Sequence, residues 1–98
     1  MAKKIIWSPR AVEDAESICQ FIGSDSKHHA YHFARRVMEI VESIPLYPGM
    51  GRIVPEYENP DLRERLHGSY RIVYRLKEDA IEIVTITHGA RLLRDIGD

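Results

Sequence analysis

Two apolar stripes with helical spacing follow one another near the start of the chain, and they constrain its fold more than any other feature. Each stripe recurs every three or four residues, as the buried face of an α-helix requires. The first stripe comprises Val12, Ala15, Ile18, Cys19 and Ile22, and the second comprises Ala30, Phe33, Ala34, Val37, Ile40, Val41 and Ile44. Two helices joined by so short a connection form a helical hairpin, and both apolar faces need a further layer to cover them.

Residues that favour helix ends flank both stripes. Ser8 is a good N-cap, and Pro9 suits the first helical turn. Gly23 is predicted to end the first helix as a C-cap glycine, and residues 24–26 offer an N-cap for the second helix. Pro45 is expected to stop the second helix at the residue before it, because proline disfavours helical backbone there.

The second half of the chain carries strand patterns instead. Strands are predicted over 3–7, 62–66, 70–76 and 81–88, with a short extended piece at 52–56, a tight turn at 77–80 and a last helical turn at 91–96. Helices grouped before strands predict one α+β domain over residues 1–98. In it, an N-terminal strand and a two-helix hairpin pack on an antiparallel sheet of about four strands, followed by a short C-terminal helical tail.

Composition narrows the environment of the protein but not its activity. The 98 residues and the 44% hydrophobic content suffice for one modest core, and the net charge of −1 does not demand nucleic acid or a membrane as partner. The single cysteine, Cys19, cannot form an internal disulfide. The apolar run at the N-terminus is too short for a signal peptide or a membrane span. We therefore expect a cytoplasmic protein with no membrane partner.

The hairpin between the last two predicted strands determines which side chains share a face. If Leu76 lies opposite Ile81, then Arg75 lies opposite Glu82, where the two can form a cross-strand ion pair. The face turned away from the helices then carries three apolar side chains, Val73, Val84 and Ile86. Such an exposed apolar patch predicts a partner protein, although a slip of one residue would exchange the two faces.

The same register places Arg71 near His88 on the face turned away from the helices. Histidine can transfer protons near neutral pH, and arginine can hold a phosphate and stabilise charge that develops on it. A carboxylate base, with Glu56 and Glu64 as candidates, would complete a site that cleaves RNA by attack of the ribose 2′-OH. The alternative interpretation is a solvated arginine and a histidine at a strand end, without chemistry.

A metal site is a further possibility that the sequence disfavours. His28 and His32 lie one helical turn apart, and this spacing can bind Zn²⁺. Because no cysteine or acidic partner in a known motif accompanies them, an exposed helix face is the favoured interpretation. We predict neither a metal site nor a cofactor.

Four short blocks of sequence resemble a known family. They are WSPRA at 7–11, GRIVPE at 51–56, LRER at 62–65 followed by YRIVYR at 70–75, and ITHGAR at 86–91. In this order they resemble the toxins of the RelE/ParE superfamily, also called plasmid stabilisation proteins, which belong to bacterial type II toxin–antitoxin systems. The resemblance spans nearly the whole chain. It implies two N-terminal helices on an antiparallel sheet, growth arrest as the activity, and a cognate antitoxin that inhibits the toxin in a hetero-oligomer.

The resemblance implies two different targets for such a toxin. RelE-like members cut mRNA in the ribosomal A site, whereas ParE-like members inhibit DNA gyrase. By similarity to the YoeB-type enzymes, Glu56, Arg71 and His88 would be the catalytic residues of a metal-independent mRNA endoribonuclease. YoeB-type toxins have a tyrosine after the histidine, where this chain has Gly89, and the chain lacks the mid-chain lysines of RelE.

These departures favour a ParE-like inhibitor of DNA gyrase over the ribosome-dependent endonuclease. A third alternative is an inactive family member that only binds the antitoxin. A gyrase inhibitor acts through an extended contact surface rather than through a catalytic centre. The residues predicted to bind the target or the antitoxin are Arg52, Arg65, Arg75, Arg91, Leu92 and Arg94.

Overall fold

The computed structural model describes residues 3–94 and 96. Two helices, α1 (Pro9–Asp25) and α2 (Lys27–Ser43), form the expected hairpin. The Ser8 hydroxyl accepts a hydrogen bond from the Ala11 amide (3.0 Å), and the Ser26 hydroxyl accepts one from the His29 amide (3.2 Å). These bonds satisfy amide groups that have no partner within the first turn of each helix.

Gly23 does not end α1 as predicted, since the helix continues to Asp25. The chain leaves the helix through Ser26, whose extended backbone (φ −153°) also begins α2, so no left-handed glycine is required. A Cβ atom at position 23 would lie 3.5 Å from the Ala30 Cβ. Gly23 therefore lies where the two helices approach each other closely near the turn of the hairpin.

The sheet has five strands in the order β1-β5-β4-β3-β2. They are β1 (Lys4–Trp7), β2 (Arg52–Ile53), β3 (Leu62–His67), β4 (Tyr70–Leu76) and β5 (Ala80–His88). The α+β class, with a helical hairpin packed on the sheet, is confirmed. The sheet is mixed rather than antiparallel, because β1 pairs with β5 in parallel. Short connections force β3, β4 and β5 to be antiparallel, whereas the helical hairpin follows β1 and allows it to run either way.

A β-bulge in β5 changes the predicted register of the last hairpin. Leu76 lies opposite Ile81 and Tyr74 opposite Ile83, as predicted, but Val73 then lies opposite Thr85, so that Val84 is the extra residue. Every residue of β5 after Val84 therefore lies on the other face of the sheet from the one that we predicted. The pairs beyond the bulge are Ile72 with Ile86, Arg71 with Thr87, and Tyr70 with His88.

The start of α1 stabilises this bulge. The pairing of β1 with β5 ends at Trp7 and Ile83, so the following residues of β5 have no strand partner on that edge. Ser8 and α1 supply polar groups there. The Ser8 hydroxyl donates to the Val84 carbonyl oxygen (2.8 Å), while the Asp14 carboxylate accepts from the Ile86 amide (3.1 Å) and from the Thr85 hydroxyl. The bulge therefore depends on contacts between segments more than 70 residues apart in the chain.

The main core lies between the helices and the sheet. It contains Ala11, Phe33, Val37, Ile40, Val41, Ile44, Ile72, Tyr74, Ile81, Ile83 and Ile86. The buried Tyr74 hydroxyl donates to the Pro48 carbonyl oxygen (2.8 Å) and accepts from the Gly51 amide (3.1 Å). These bonds tie the two 3₁₀ turns after α2, Ile44–Leu46 and Pro48–Met50, to the sheet.

A second apolar cluster closes the face of the sheet turned away from the helices, which we call the outer face. Its members are Val54, Leu62, Val73, Val84, Leu93 and Ile96. The prediction of an exposed apolar patch here is wrong on two counts. Val73 and Val84 are buried beneath the chain's own C-terminal segment, and the bulge moves Ile86 to the helix side.

The C-terminal segment itself is not helical in the part that the structure describes, residues 91–94 and 96. The predicted helical tail is therefore wrong. Leu93 and Ile96 have helical spacing, but an irregular segment that crosses the outer face buries both equally well. Among the described residues, no helix is long and apolar enough to span a membrane.

Candidate functional site

Arg71 is the centre of a buried ionic network on the outer face. Its Nε atom donates to Glu64 Oε1 (2.7 Å), and its terminal nitrogens donate to both carboxylate oxygens of Glu56 (Nη1–Oε2 2.8 Å, Nη2–Oε1 2.7 Å). Arg52 pairs with the second carboxylate oxygen of Glu64. The Arg71 guanidinium thus neutralises two carboxylates through the fork geometry that arginine favours.

Three separate segments supply this network. Glu64 and Arg71 project from adjacent antiparallel strands, β3 and β4, on the face away from the helices. Glu56 reaches the network from the turn that follows β2. The side chains of Arg71 and Glu64 are 5% and 0% exposed, and that of Glu56 is 19% exposed. Charges so deeply buried are tolerated only when they are paired, so the network must remain closed in the folded protein.

The network also alters the acidity of its members. The hydrogen bonds from Arg71 lower the pKa of Glu56 from its ordinary value of 4.5 to about 2, and the Leu93 amide contributes to the shift. The hydrogen bonds that Arg71 donates to Glu56 and Glu64 raise the pKa of Arg71 above its ordinary range. At neutral pH Glu56 is therefore an ionised, fully paired carboxylate and a weak base.

The structure brings only two of the three predicted catalytic residues together. Glu56 and Arg71 are in contact, but His88 pairs with Tyr70 across β4 and β5 and stacks edge to face on its ring (centroids 5.8 Å apart). Tyr70 in turn contacts Phe33 of α2 (5.1 Å), so His88 lies on the helix side of the sheet. The prediction that Arg71 and His88 share a face is wrong, because the bulge at Val84 reverses the orientation of His88.

His88 is exposed beside a shallow groove between α1 and β5 that Asp14, Tyr70 and Arg91 help to line. Its Nδ1 atom accepts from the Ala90 amide (3.2 Å). The Gly89 amide donates to the Ser69 carbonyl oxygen (2.6 Å), and a Cβ at position 89 would lie 3.2 Å from that oxygen. The chain thus turns tightly at Gly89, where a larger residue would crowd the Ser69 carbonyl oxygen.

Three arginines hold the C-terminal segment by its main chain. Arg71 Nη1 donates to the carbonyl oxygen of residue 91 (3.3 Å), Arg10 Nη1 to that of residue 94 (3.4 Å) and Arg75 Nη2 to that of Ile96 (3.2 Å). The Leu93 amide donates to Glu56 Oε2 (3.1 Å), so the segment is joined directly to the ionic network. Leu93 (5% exposed) and Ile96 (9%) add apolar anchors beneath it.

The side chains of Arg91, Leu92 and Arg94 remain exposed on this segment, with Leu92 63% exposed. These three predicted contact residues therefore lie together on the surface. The other three are dispersed. Arg75 is mostly buried beside Glu82 (3.6 Å), and Arg52 is bound to Glu64. Arg65 lies on the helix side, where it donates to the Ser43 hydroxyl (3.3 Å).

The sequence did not reveal the structural roles of Arg10, Leu93 and Ile96. Glu64 and Arg71 could have been placed on one face from the two-residue period of β3 and β4 and their tight connection. The contact of Arg10 with residue 94 spans 84 positions and has no local pattern. His28 and His32 pack edge to face (centroids 4.4 Å apart), and no group of three potential metal ligands occurs within residues 3–94 and 96.

A helical hairpin packed on a small sheet is the fold class that the four sequence blocks led us to expect. The model of the ParE toxin family, from the type II toxin–antitoxin system parDE, matches residues 5–93. Toxin RelE2 of Caulobacter vibrioides is 32% identical over 90 residues, which are 91% of this chain and 98% of that protein. The chain therefore belongs to the ParE toxin family within the RelE/ParE superfamily, as the sequence blocks predicted.

Several solved toxin structures share this fold. A chromosomal ParDE system from P. aeruginosa aligns with a TM-score of 0.71 at 19% identity, covering 89% of this chain and 96% of that one. The RelBE2 toxin–antitoxin complex from Mycobacterium tuberculosis aligns at 0.64 and 16% identity (90% and 99% covered). A YoeB dimer from Staphylococcus aureus aligns at 0.63 and 18% identity (90% and 98% covered). Likeness of fold to ParDE, RelBE2 and YoeB alike does not identify the target of this chain, because function depends on the residues of the site.

Proposed function

We propose that this protein is a ParE-like toxin that arrests growth by binding DNA gyrase and does not cut mRNA. One observation carries the proposal. The residues that would form a nuclease centre are divided between the two faces of the sheet, with the buried Arg71 paired to Glu56 on the outer face and His88 on the helix side.

The chemistry of RNA cleavage is poorly served by this arrangement. A general base must be free to take a proton, whereas Glu56 has a pKa of about 2 and both its oxygens accept hydrogen bonds from Arg71. A phosphate would have to displace a carboxylate from Arg71 and leave Glu64 or Glu56 unpaired in a buried site. His88 would then be unable to act on the same phosphate from the opposite face.

A cognate antitoxin is the second partner that we propose. The similar structures include ParDE and RelBE toxin–antitoxin systems, and the residues described here leave several large apolar side chains exposed. The largest exposed fractions are those of Phe21 (75%), Leu46 (67%), Leu92 (63%), Tyr47 (62%) and Met50 (62%). Because the outer apolar cluster is already covered, an antitoxin would have to bind elsewhere, at surfaces such as these.

Two assays run in parallel test the proposed target. Purified toxin is added to DNA gyrase in a plasmid supercoiling reaction and to an in vitro translation reaction with mapping of new mRNA 5′ ends. We expect loss of supercoiling and intact mRNA. New mRNA ends that disappear in His88→Ala would establish the nuclease alternative, and no effect in either assay or on growth would identify an inactive antitoxin-binding protein.

The antitoxin proposal is tested by co-expression with the neighbouring reading frame. We expect the tagged toxin to retain the product of that frame through purification, and growth to be restored. Recovery of free and harmless toxin would contradict this proposal but not the choice of gyrase as target.

A further inference from the structure

The outer face holds the described part of the C-terminal segment by polar contacts to its main chain. Carbonyl oxygens of residues 91, 94 and 96 accept from Arg71, Arg10 and Arg75, and the amide of residue 93 donates to Glu56. Apolar side chains at positions 93 and 96 are buried, and the side chains at 91, 92 and 94 are exposed to solvent. The backbone is therefore held independently of the side chains that it displays.

We infer that Arg71 is a positioning residue, and that the clasp it forms with Glu56 and Glu64 presents Arg91, Leu92 and Arg94 as the specificity-determining side chains of the toxin. This inference rests on the proposed function, since it names the part of the surface that reads the target. Two arginines beside an exposed leucine fit a partner surface that is acidic with an apolar pocket.

Physical reasoning explains why a buried arginine suits this role. A loop that must bind with defined geometry loses affinity in proportion to the fraction of time it spends disordered. Arg71 is itself held in one orientation by two carboxylates. Its hydrogen bond to the carbonyl oxygen of residue 91 therefore restricts the position of that residue. Because the clasp binds the main chain and not the side chains of residues 91, 92 and 94, these side chains can be substituted without loss of the fold.

The first experiment measures whether the clasp holds the segment. Limited trypsin digestion is followed at the bond after Arg91 in the wild type and in Glu56→Gln, which keeps the side-chain shape but removes one charge. We expect cleavage there about tenfold to a hundredfold faster, as loss of a charge-assisted hydrogen bond predicts, with no change at Arg35 in α2. Glu58→Gln is the matched control, because Glu58 is an exposed carboxylate two positions away. An unchanged rate after Arg91 in Glu56→Gln would overturn the clasp.

The second experiment links the clasp to toxicity. The double variant Glu56→Gln/Leu93→Ala removes the carboxylate and the apolar anchor together, while Arg71 stays paired with Glu64 so that the sheet remains folded. If the segment is ordered in only a tenth of the molecules, target affinity falls about tenfold, and growth arrest after induction weakens accordingly. Growth arrest equal to wild type, in a variant whose segment trypsin shows to be released, would overturn the positioning role.

The third experiment exchanges the displayed side chains and leaves the clasp intact. Leu92→Ser/Arg94→Glu should abolish growth arrest while the cleavage rate after Arg91 stays within about twofold of wild type, because both substitutions are on the surface. Retained toxicity would contradict the specificity role. Growth arrest is scored without reference to the target. Failure of the gyrase assay would therefore refute the proposed function, whereas the clasp is judged on cleavage and growth alone.

Discussion

The face of the sheet that meets the helices is closed mainly by apolar side chains, whereas the outer face is closed by a short apolar strip beside a buried ionic network. The helix-side core gathers Val37, Val41, Ile72 and Ile83 from elements that pack as whole layers. The outer face is covered by a thin C-terminal segment, which arginines hold through its carbonyl oxygens, and by the residues that follow β2. Apolar burial stabilises the fold but does not depend on the direction of the contacts. Charge-assisted hydrogen bonds are directional, so they hold the backbone of the C-terminal segment in one conformation. The outer face is thus suited to present a defined surface.

The largest expected effect comes from breaking the outer network. Arg71→Ala leaves Glu64, which is 0% exposed, without its main counter-charge, and should lower the free energy of unfolding by about 3–5 kcal/mol. Arg35→Ala is the matched control, because Arg35 pairs with Glu39 in α2 where both side chains are exposed (63% and 51%), and its loss should cost about 1 kcal/mol or less. Urea denaturation measures both. Equal losses would mean that the two ion pairs do not differ as their burial implies.

Substitution of Gly51, with Gly49 as its control, tests how closely the chain packs against Tyr74 on the helix side. A Cβ at position 51 would lie 2.3 Å from the Tyr74 hydroxyl oxygen and 2.8 Å from the Glu64 carbonyl oxygen. Gly51→Ala should therefore destabilise the fold by about 3 kcal/mol, at the upper end for overpacking. Gly49→Ala meets nothing within 4 Å and should be neutral or slightly stabilising. Thermal unfolding of the two variants checks this, and a stable Gly51→Ala protein would contradict the close approach.

Acid should loosen the outer face before the helix side. The folded pKa of Glu56, about 2, lies below its ordinary value of 4.5, so its ionisation stabilises the fold above pH 4.5. That contribution, on the order of 2 kcal/mol after solvent screening, is lost as the pH falls through 4.5 towards 2. Glu56→Gln should show a flatter dependence of unfolding free energy on pH over this window. Parallel curves for the two proteins would contradict the ion pair as the cause.

The smallest expected effect is at His88. This residue is exposed, and its removal costs one hydrogen bond at the strand end and an edge-to-face contact with Tyr70, so His88→Ala should lower the unfolding free energy by about 1 kcal/mol or less. If the toxin acts by binding gyrase through segment 91–94, growth arrest should also survive the substitution. An induced-toxicity assay beside the stability measurement checks both, and a folded but harmless variant would favour the nuclease alternative.

Much of the helix side could be predicted from the sequence. The 3.6-residue spacing of apolar residues, Ser8 and Pro9 at one helix start, and Pro45 after the second helix located both helices to within a few residues. The strand from Tyr70 to Leu76 was predicted to the residue, and Arg75 was placed opposite Glu82. These features depend on local periodicity and on short connections, which are written along the chain.

The sequence by itself therefore determined the two helices, the strands of the last hairpin and the family to which the chain belongs. Tertiary structure decided the bulge at Val84, and with it the face on which His88 lies, because Ser8 and Asp14 of a distant segment satisfy the bulged backbone. It also decided that Arg71 binds two carboxylates, since Glu56 and Glu64 meet it only once three segments have packed. A charge that is buried away from water is stable only when it is paired. The partners that it can reach are determined by the folded chain and not by the local sequence.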